Sequence, residues 1–280
     1  MKKTGIINKI IPFSNVDGPG NRTSVFFQGC TFRCLFCHNP ETIRLCSHCG
    51  KCVSACPAGA LRMEDEKVCW EPKKCVQCDT CLKICPHSAS PRIRWMSVEE
   101  VFGEIRRTLP YIDGITASGG ECTLYPDFLR ELFSLVRASG KTCLIDSNGS
   151  LDFEQHRDLL SACDGVMLDV KAWDEKWSVE LLSHSRDIVL KNLRFLLQAG
   201  KLTEVRTLIF PGRDRENEET VRRTAETVLD ACPYKIIRYR PFGVREENQK
   251  ILGEFTTDAE YAEKYAALAR SLGASKAYVV

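Results

Sequence analysis

The chain has 280 residues, 44% of them hydrophobic, enough for one large unit or a large unit with a small companion. Its formal net charge of +2 offers no strongly basic surface for nucleic acid or for an acidic membrane. No run is long and apolar enough to span a bilayer, and the opening MKKTGIINKIIPF, broken by Lys9 and followed by no small-residue cleavage site, reads as no signal peptide.

In chain order, RTSVFFQG is a β-rich run that leads into QGCTFRCLFCHN. There Cys30, Cys34 and Cys37 stand at C-x3-C-x2-C spacing. Three thiolates this close can hold three irons of a [4Fe–4S] cube and leave the fourth without a protein ligand. An open metal position is where a substrate binds, so the triplet reads as a catalytic cluster site.

Residues 46–57 read CSHCGKCVSACP and residues 75–86 read CVQCDTCLKICP. Both are C-x2-C-x2-C-x3-C-P, the run of two-cluster ferredoxins, in which the fourth cysteine crosses to the other cluster. The expected sets are Cys46, Cys49 and Cys52 with Cys85, and Cys75, Cys78 and Cys81 with Cys56. Each cluster would then staple both halves of a segment too short for its own apolar core. A pair of structural zinc sites is the rival, although those show two separated C-x2-C pairs. Cys69 fits neither run and reads as a small buried thiol. The chain has 16 cysteines in all. A disulfide scaffold belongs to small secreted chains, so a reducing cytoplasm is the expected setting.

Beyond the insert, strands and helices alternate. SVEEVFGEIRRTL has helical periodicity with Ser97 as N-cap. GITAS, KTCLIDS, GVMLDVK, VRTLIF and YKIIRYR read as strands. YPDFLRELFSLVRASG, DFEQHRDLLSACD, SRDIVLKNLRFLLQAG, ENEETVRRTAETVLDA and DAEYAEKYAALARSLG read as the helices between and after them. Such alternation implies an α/β fold of parallel strands with right-handed crossovers. About six repeats suit an open or partial barrel better than a closed eight-fold one; a flat doubly wound sheet is the alternative.

In these folds chemistry collects past the C-terminal ends of the strands. Ser118-Gly119-Gly120-Glu121, Asp146-Ser147-Asn148-Gly149, Asp169-Val170-Lys171, Pro211-Gly212 and Pro241-Phe242-Gly243 all fall there. Singly, each has a plain reading: Gly-Gly as a turn, Asp146 as a cap, Lys171 as a solvated lysine. Together they offer glycines for close backbone approach, the carboxylates Glu121 and Asp169 for an amine, and Lys171 for a carboxylate. Both signs in one site suit a zwitterion such as an amino acid.

The triplet with Phe36 before its last cysteine resembles that of the radical S-adenosylmethionine (SAM) enzymes. VDGPGNR, FFQGCTFRCLFCHN, SGGE, DSNG and LDVK together resemble the glycyl-radical-enzyme activases, in the branch with a ferredoxin-like insert. The resemblance runs across nearly the whole chain. It implies a partial (β/α)6 TIM-type barrel over residues 1–40 and 96–280, with an inserted ferredoxin-like domain of two [4Fe–4S] clusters over 41–95. By that resemblance Cys30, Cys34 and Cys37 bind the SAM-cleaving cluster, and Phe36 and His38 line the adenine and sulfonium side. Gly119, Gly120 and Glu121 hold the methionine amino group, Asp169 and Lys171 bind the methionine moiety, and Ser147 and Val170 belong to the same cofactor site. Asp146, Ser147, Met167 and Asp169 match positions that take a monovalent cation. Asp17, Gly18, Pro19, Gly20 and Arg22 match the loop that faces a partner's glycine segment; by themselves Asp17–Gly20 read as a plain turn.

The implied activity is reductive cleavage of SAM to a 5′-deoxyadenosyl radical that activates a glycyl radical enzyme. Flavodoxin or ferredoxin would be the electron donor, with no nucleic acid or membrane partner. The insert clusters would relay electrons, or serve only structure or docking. Two departures from the family stand out: Gly243 lies where many relatives have His, and Cys122 where they usually have Pro. The rivals are a radical SAM enzyme acting on a small molecule or another peptide, and a non-catalytic multi-cluster electron carrier.

Overall fold

A computed structural model of the chain describes residues 3–280. Strand β1 (Thr4–Ser14) pairs antiparallel with β2 (Arg22–Phe27), which is buried along its whole length. The region between β2 and the next strand of the main sheet holds a separate hairpin, β3 (Leu61–Glu64) with β4 (Lys67–Trp70), and a single helical turn, α1 (Thr80–Lys83). A small apolar cluster of Cys52, Leu61 and Val68 packs there, with Cys46, Val53, Cys56, Trp70 and Cys81 against it. The chain re-enters through β5 (Arg94–Ser97), antiparallel to β1.

The repeats then follow: α2 (Val98–Ile105), β6 (Gly114–Gly119), α3 (Pro126–Ala138), β7 (Thr142–Ser147), α4 (Arg157–Ala162), β8 (Gly165–Asp169), α5 (Glu175–Leu182) and α6 (Asp187–Gln198). After them come β9 (Leu202–Ile209), α7 (Asp214–Val228), β10 (Tyr234–Arg238), α8 (Glu246–Leu252), α9 (Ala259–Ser271) and β11 (Ala277–Val279). Helix α2 starts at a capping box in which Ser97 accepts from the Glu100 N–H and Glu100 accepts from the Ser97 N–H.

The sheet runs β11-β10-β9-β8-β7-β6-β2-β1-β5, and every pair from β2 to β11 is parallel. Across that parallel run the order follows the chain with no reversal; β5, beyond β1 at the antiparallel edge, is the one strand out of sequence. Right-handed crossovers that all step the same way put all their helices on one face. A doubly wound sheet needs a reversal point, and this sheet has none. The protein is therefore an α/β protein with a singly wound, mostly parallel open sheet, the arrangement of a partial barrel.

The two faces differ by the strand period of two. Val25, Ile115, Ala117, Cys143, Ile145, Val166, Leu168 and Val205 belong to the main apolar core. Against them pack helix stripes such as Phe128, Leu129, Leu132, Phe133 and Val136 of α3. The alternate positions carry Ser24, Thr116, Ser118, Asp146, Met167, Asp169, Glu204 and Arg206 on the other face, where Asp146 bonds Ser118 and Arg206, Arg206 also meets Glu204 and Met167, Ser24 and Thr116 bond Asp17, and Asp169 pairs with Lys171. That polar face carries the chemistry. Among the described residues no helix is long and apolar enough to cross a membrane.

Candidate active site

The loop bearing the cysteine triplet leaves the C-terminal end of β2 and is stapled on three sides. Its Gly29 and Cys30 N–H groups donate to Thr42 and Ile43 carbonyls at 2.8 and 3.1 Å. Arg33 and Leu35 N–H groups donate to the Leu182 and Leu181 carbonyls at 2.9 Å, using acceptors that the end of α5 would otherwise leave unpaired. Asn248 Nδ2 of α8 donates to Leu35 O at 2.8 Å.

The fourth support is Gly119-Gly120. A Cβ on Gly119 would lie 2.3 Å from Phe27 N, and one on Gly120 2.2 Å from Gly29 O. The sequence suggests these glycines admit a ligand's backbone-side approach; here they admit the chain's own backbone. They press the end of β6 onto the loop carrying Cys30, and Glu121 N donates to Gly29 O at 2.8 Å. Glu121 itself is 1% exposed. It accepts from Thr123 Oγ1 (2.6 Å), Thr123 N (3.2 Å), Ser147 Oγ (2.9 Å) and Asn148 N (2.7 Å), which ties β6 to β7.

Burial pushes the Cys30 thiol up to about 12 and raises Cys34 and Cys37 as well. Without metal the triplet holds its protons, and metal binding must expel them. Asn148 Nδ2 lies 3.5 Å from Cys30 Sγ. Phe36 is buried against Phe210, ring centroids 5.3 Å apart, with the Lys171 ammonium 5.9 Å from its centroid. His38 Nε2 lies 3.0 Å from Arg240 O. Gly243, the departure from the family pattern, has φ +80°, and a Cβ there would lie 2.6 Å from the His38 carbonyl oxygen. The turn after β10 thus clamps His38 through its backbone and leaves no room for a side chain. Cys122, the other departure, is wholly buried, its thiol donating to Ala117 O at 3.3 Å.

Beneath the triplet lies a line of buried charges. Lys171 pairs with Asp169. Burial would pull its ammonium down, but Asp169 and Cys34 outweigh that and the pKa rises. Asp146 accepts from Ser118 Oγ at 3.0 Å and from Arg206 Nη1 at 3.0 Å. Arg206 Nη2 also lies 3.2 Å from Met167 Sδ, and its Nε donates to Glu204 at 2.5 Å. Glu204 in turn pairs with Lys235 at 2.8 Å. The structure does bring Asp146, Met167 and Asp169 together, but a guanidinium of the chain's own stands between them. Asp146 and Met167 thus face Arg206, and Asp169 faces Lys171.

The loop Asp17–Gly20 folds onto the same polar face. Asp17 accepts from Ser14 Oγ (2.6 Å) and Ser24 Oγ (2.7 Å), and a Cβ on Gly18 would lie 3.3 Å from Met167 Sδ. Arg22 is buried and spends its guanidinium on Thr116 Oγ1, Ile115 O, Thr142 and Pro19 O. It therefore fixes the loop to β6 and β7. Val170 is buried in the core, its N–H donating to Arg206 O.

Residues 41–95 contain two cavities. One is lined by Cys56, Cys75, Cys78 and Cys81 together with Trp70 and Arg92. The other is lined by Cys46, Cys49, Cys52 and Cys85. Each thus collects three cysteines of one run and the fourth of the other. No disulfide joins any of the 16 cysteines.

The radical SAM superfamily model matches residues 24–227. An indoleacetate decarboxylase activating enzyme from Tractidigestivibacter scatoligenes is 34% identical, over 89% of this chain and 87% of that one. A pyruvate formate-lyase-activating enzyme from Streptococcus mutans is 28% identical, over 86% of this chain and 80% of that one. The chain belongs to the glycyl-radical-enzyme activating enzymes of the radical SAM superfamily. A single-substitution mutant of spore photoproduct lyase shares its fold with a TM-score of 0.57 at 13% identity, covering 97% of this chain and 78% of that one.

For this radical SAM protein, the motifs point to most of the groups brought together under the triplet. Arg206, Glu204 and Lys235 escape a reading of the sequence, because a charge inside a strand looks like an outward, solvated one until the sheet's curvature is known. Asn148 is in view within DSNG, but only the fold puts its amide beside Cys30.

Proposed function

We propose that this chain cleaves SAM reductively at a cluster held by Cys30, Cys34 and Cys37 and activates a partner glycyl radical enzyme. The observation that carries the reading is that Lys171, paired with Asp169, faces both Cys34 and the Phe36 ring of the triplet loop, so that both signs of charge stand beside the three thiols. When bound, the cluster supplies one electron to the sulfonium, so that SAM yields methionine and a 5′-deoxyadenosyl radical that takes the α-hydrogen of a partner's glycine.

The residues do the rest. Gly119, Gly120 and Glu121 hold the triplet loop in register. Lys171 offers its ammonium to the SAM carboxylate, and Asp169 a carboxylate to its amine. Phe36 and His38 wall the nucleoside side. Asp17–Gly20, braced by Arg22, sit on the polar face where an extended glycine segment would enter. The buried, pre-paired charges need little reorganisation when SAM arrives.

We further infer that residues 41–95 are a two-cluster ferredoxin-like insert. Support comes from the crossed cysteine sets of its two cavities and from the indole Nε1 of Trp70, which lines one of them, is buried and has no hydrogen-bond partner among the described residues. Its clusters would relay electrons from flavodoxin or ferredoxin in a reducing compartment. No step is assigned to a monovalent cation, because Asp146 and Met167 already face Arg206 and Asp169 already pairs with Lys171.

The test is incubation of anaerobically reconstituted protein with SAM, reductant and a glycyl radical enzyme. A stable glycyl radical in the electron paramagnetic resonance (EPR) spectrum is expected, with about twelve irons per chain. Cys34→Ala should abolish SAM cleavage and leave about eight irons. Cleavage that persists in this variant sinks the assignment of the triplet; cleavage without a glycyl radical favours a small-molecule or peptide substrate.

A further inference from the structure

The two insert cavities differ in what surrounds their thiols. Around Cys46, Cys49, Cys52 and Cys85 the one charged lining residue is Lys51, which is exposed. A solvated, flexible ammonium is screened and exerts little field. Around Cys56, Cys75, Cys78 and Cys81 stand Trp70, Arg92 and Asp79. The Arg92 side chain is 19% exposed and is held by Asp79 at 2.6 Å. Trp70 and Arg92 thus share the wall of this cavity with the four thiols, and the buried indole Nε1 of Trp70 has no hydrogen-bond partner among the described residues.

Reduction of a [4Fe–4S] centre adds one negative charge and no proton. A fixed cation and an N–H donor beside a ligand sulfur stabilise that added charge and raise the potential. We propose that Arg92 and Trp70 make the cluster of Cys56, Cys75, Cys78 and Cys81 the more readily reduced of the insert pair, and so the first of the two to hold the incoming electron. The proposal rests on the two-cluster reading of the insert. The step is a single electron passing from the external protein donor to the oxidised cluster, with no bond made or broken. Asp79, paired to Arg92, opposes the effect.

The experiment is a redox titration of the anaerobically reconstituted full-length protein, followed by EPR. Arg92→Gln should make reduction of one insert cluster about tenfold less favourable, about 59 mV for a one-electron couple, with the other unmoved. Trp70→Phe should shift the same cluster in the same direction by less, Asp79→Asn should shift it the opposite way, and Arg92→Lys should restore most of the wild-type value. Cys78→Ser should remove the very signal that Arg92→Gln shifts. Midpoints unchanged in Arg92→Gln, Trp70→Phe and Asp79→Asn with iron fully retained overturn the tuning and leave the two-cluster reading standing. About four irons per wild-type chain overturn both.

Discussion

Arg206 is the residue on which the polar face turns. Burial pushes the Asp146 carboxyl up, and Arg206 is the chief group opposing it. A carboxyl with a folded pKa above its unfolded one makes ionisation a cost to the folded state, so stability is lost as pH rises through the folded value. Arg206→Gln removes the opposing cation and enlarges that cost. The variant should lose about 3–5 kcal/mol in urea unfolding. The loss should grow as pH rises, and a loss that does not change with pH would show that Asp146 does not feel the guanidinium. Gly243→Ala is a second test at this scale. It puts a methyl against the His38 carbonyl at a positive φ, at a cost of about 1–3 kcal/mol. A urea midpoint equal to wild type would mean that this turn does not clamp His38. Cysteine spacing and short motifs announce the triplet and its neighbours from sequence. Which partners each group then chooses is decided by three-dimensional packing: Glu121 is committed to four internal donors, and nothing in SGGE says so.

Elements place these groups, and they are unequally legible. The strand–helix repeats stand out because apolar periodicity switches between 2 and 3.6, and Ser97 with Glu100 marks the start of α2. Ser97→Ala should cost about 1 kcal/mol and lower the melting temperature without changing SAM affinity. An unchanged melting temperature would mean that this end of α2 does not limit stability. β1 escapes notice because two register shifts break its alternation. β11 is three residues long and α8 seven, too short for a periodic signal. The eight-residue α5 matters more than its length suggests, since its last carbonyls hold the triplet loop.

For the whole molecule, a singly wound sheet with all its helices on one side leaves a polar concave face free for a cosubstrate and an extended peptide. The order of the strands is foreseeable from alternation and crossover handedness. The antiparallel β1 and β5 edge is not, because pairing between segments about ninety residues apart leaves no local trace. If the insert conducts electrons, Cys78→Ser should slow SAM cleavage driven by a flavodoxin or ferredoxin system. Cleavage driven by dithionite, which can reach the triplet directly, should be spared. Equal rates with both reductants in variant and wild type would assign the insert to docking alone.

Where the chain departs from the barrel and where it returns, the Ser90 N–H meets the Glu41 carbonyl at 3.0 Å. The inserted stretch is therefore a loop closed at its neck, a cassette whose removal leaves two stumps already touching. Joining Leu45 to Ser90 through a short turn, with the Thr42 and Ile43 anchors kept, should yield a chain that still folds and binds about four irons. If residues 41–95 hold relay clusters, that excised form would take electrons only from outside, and another carrier could be grafted into the same socket.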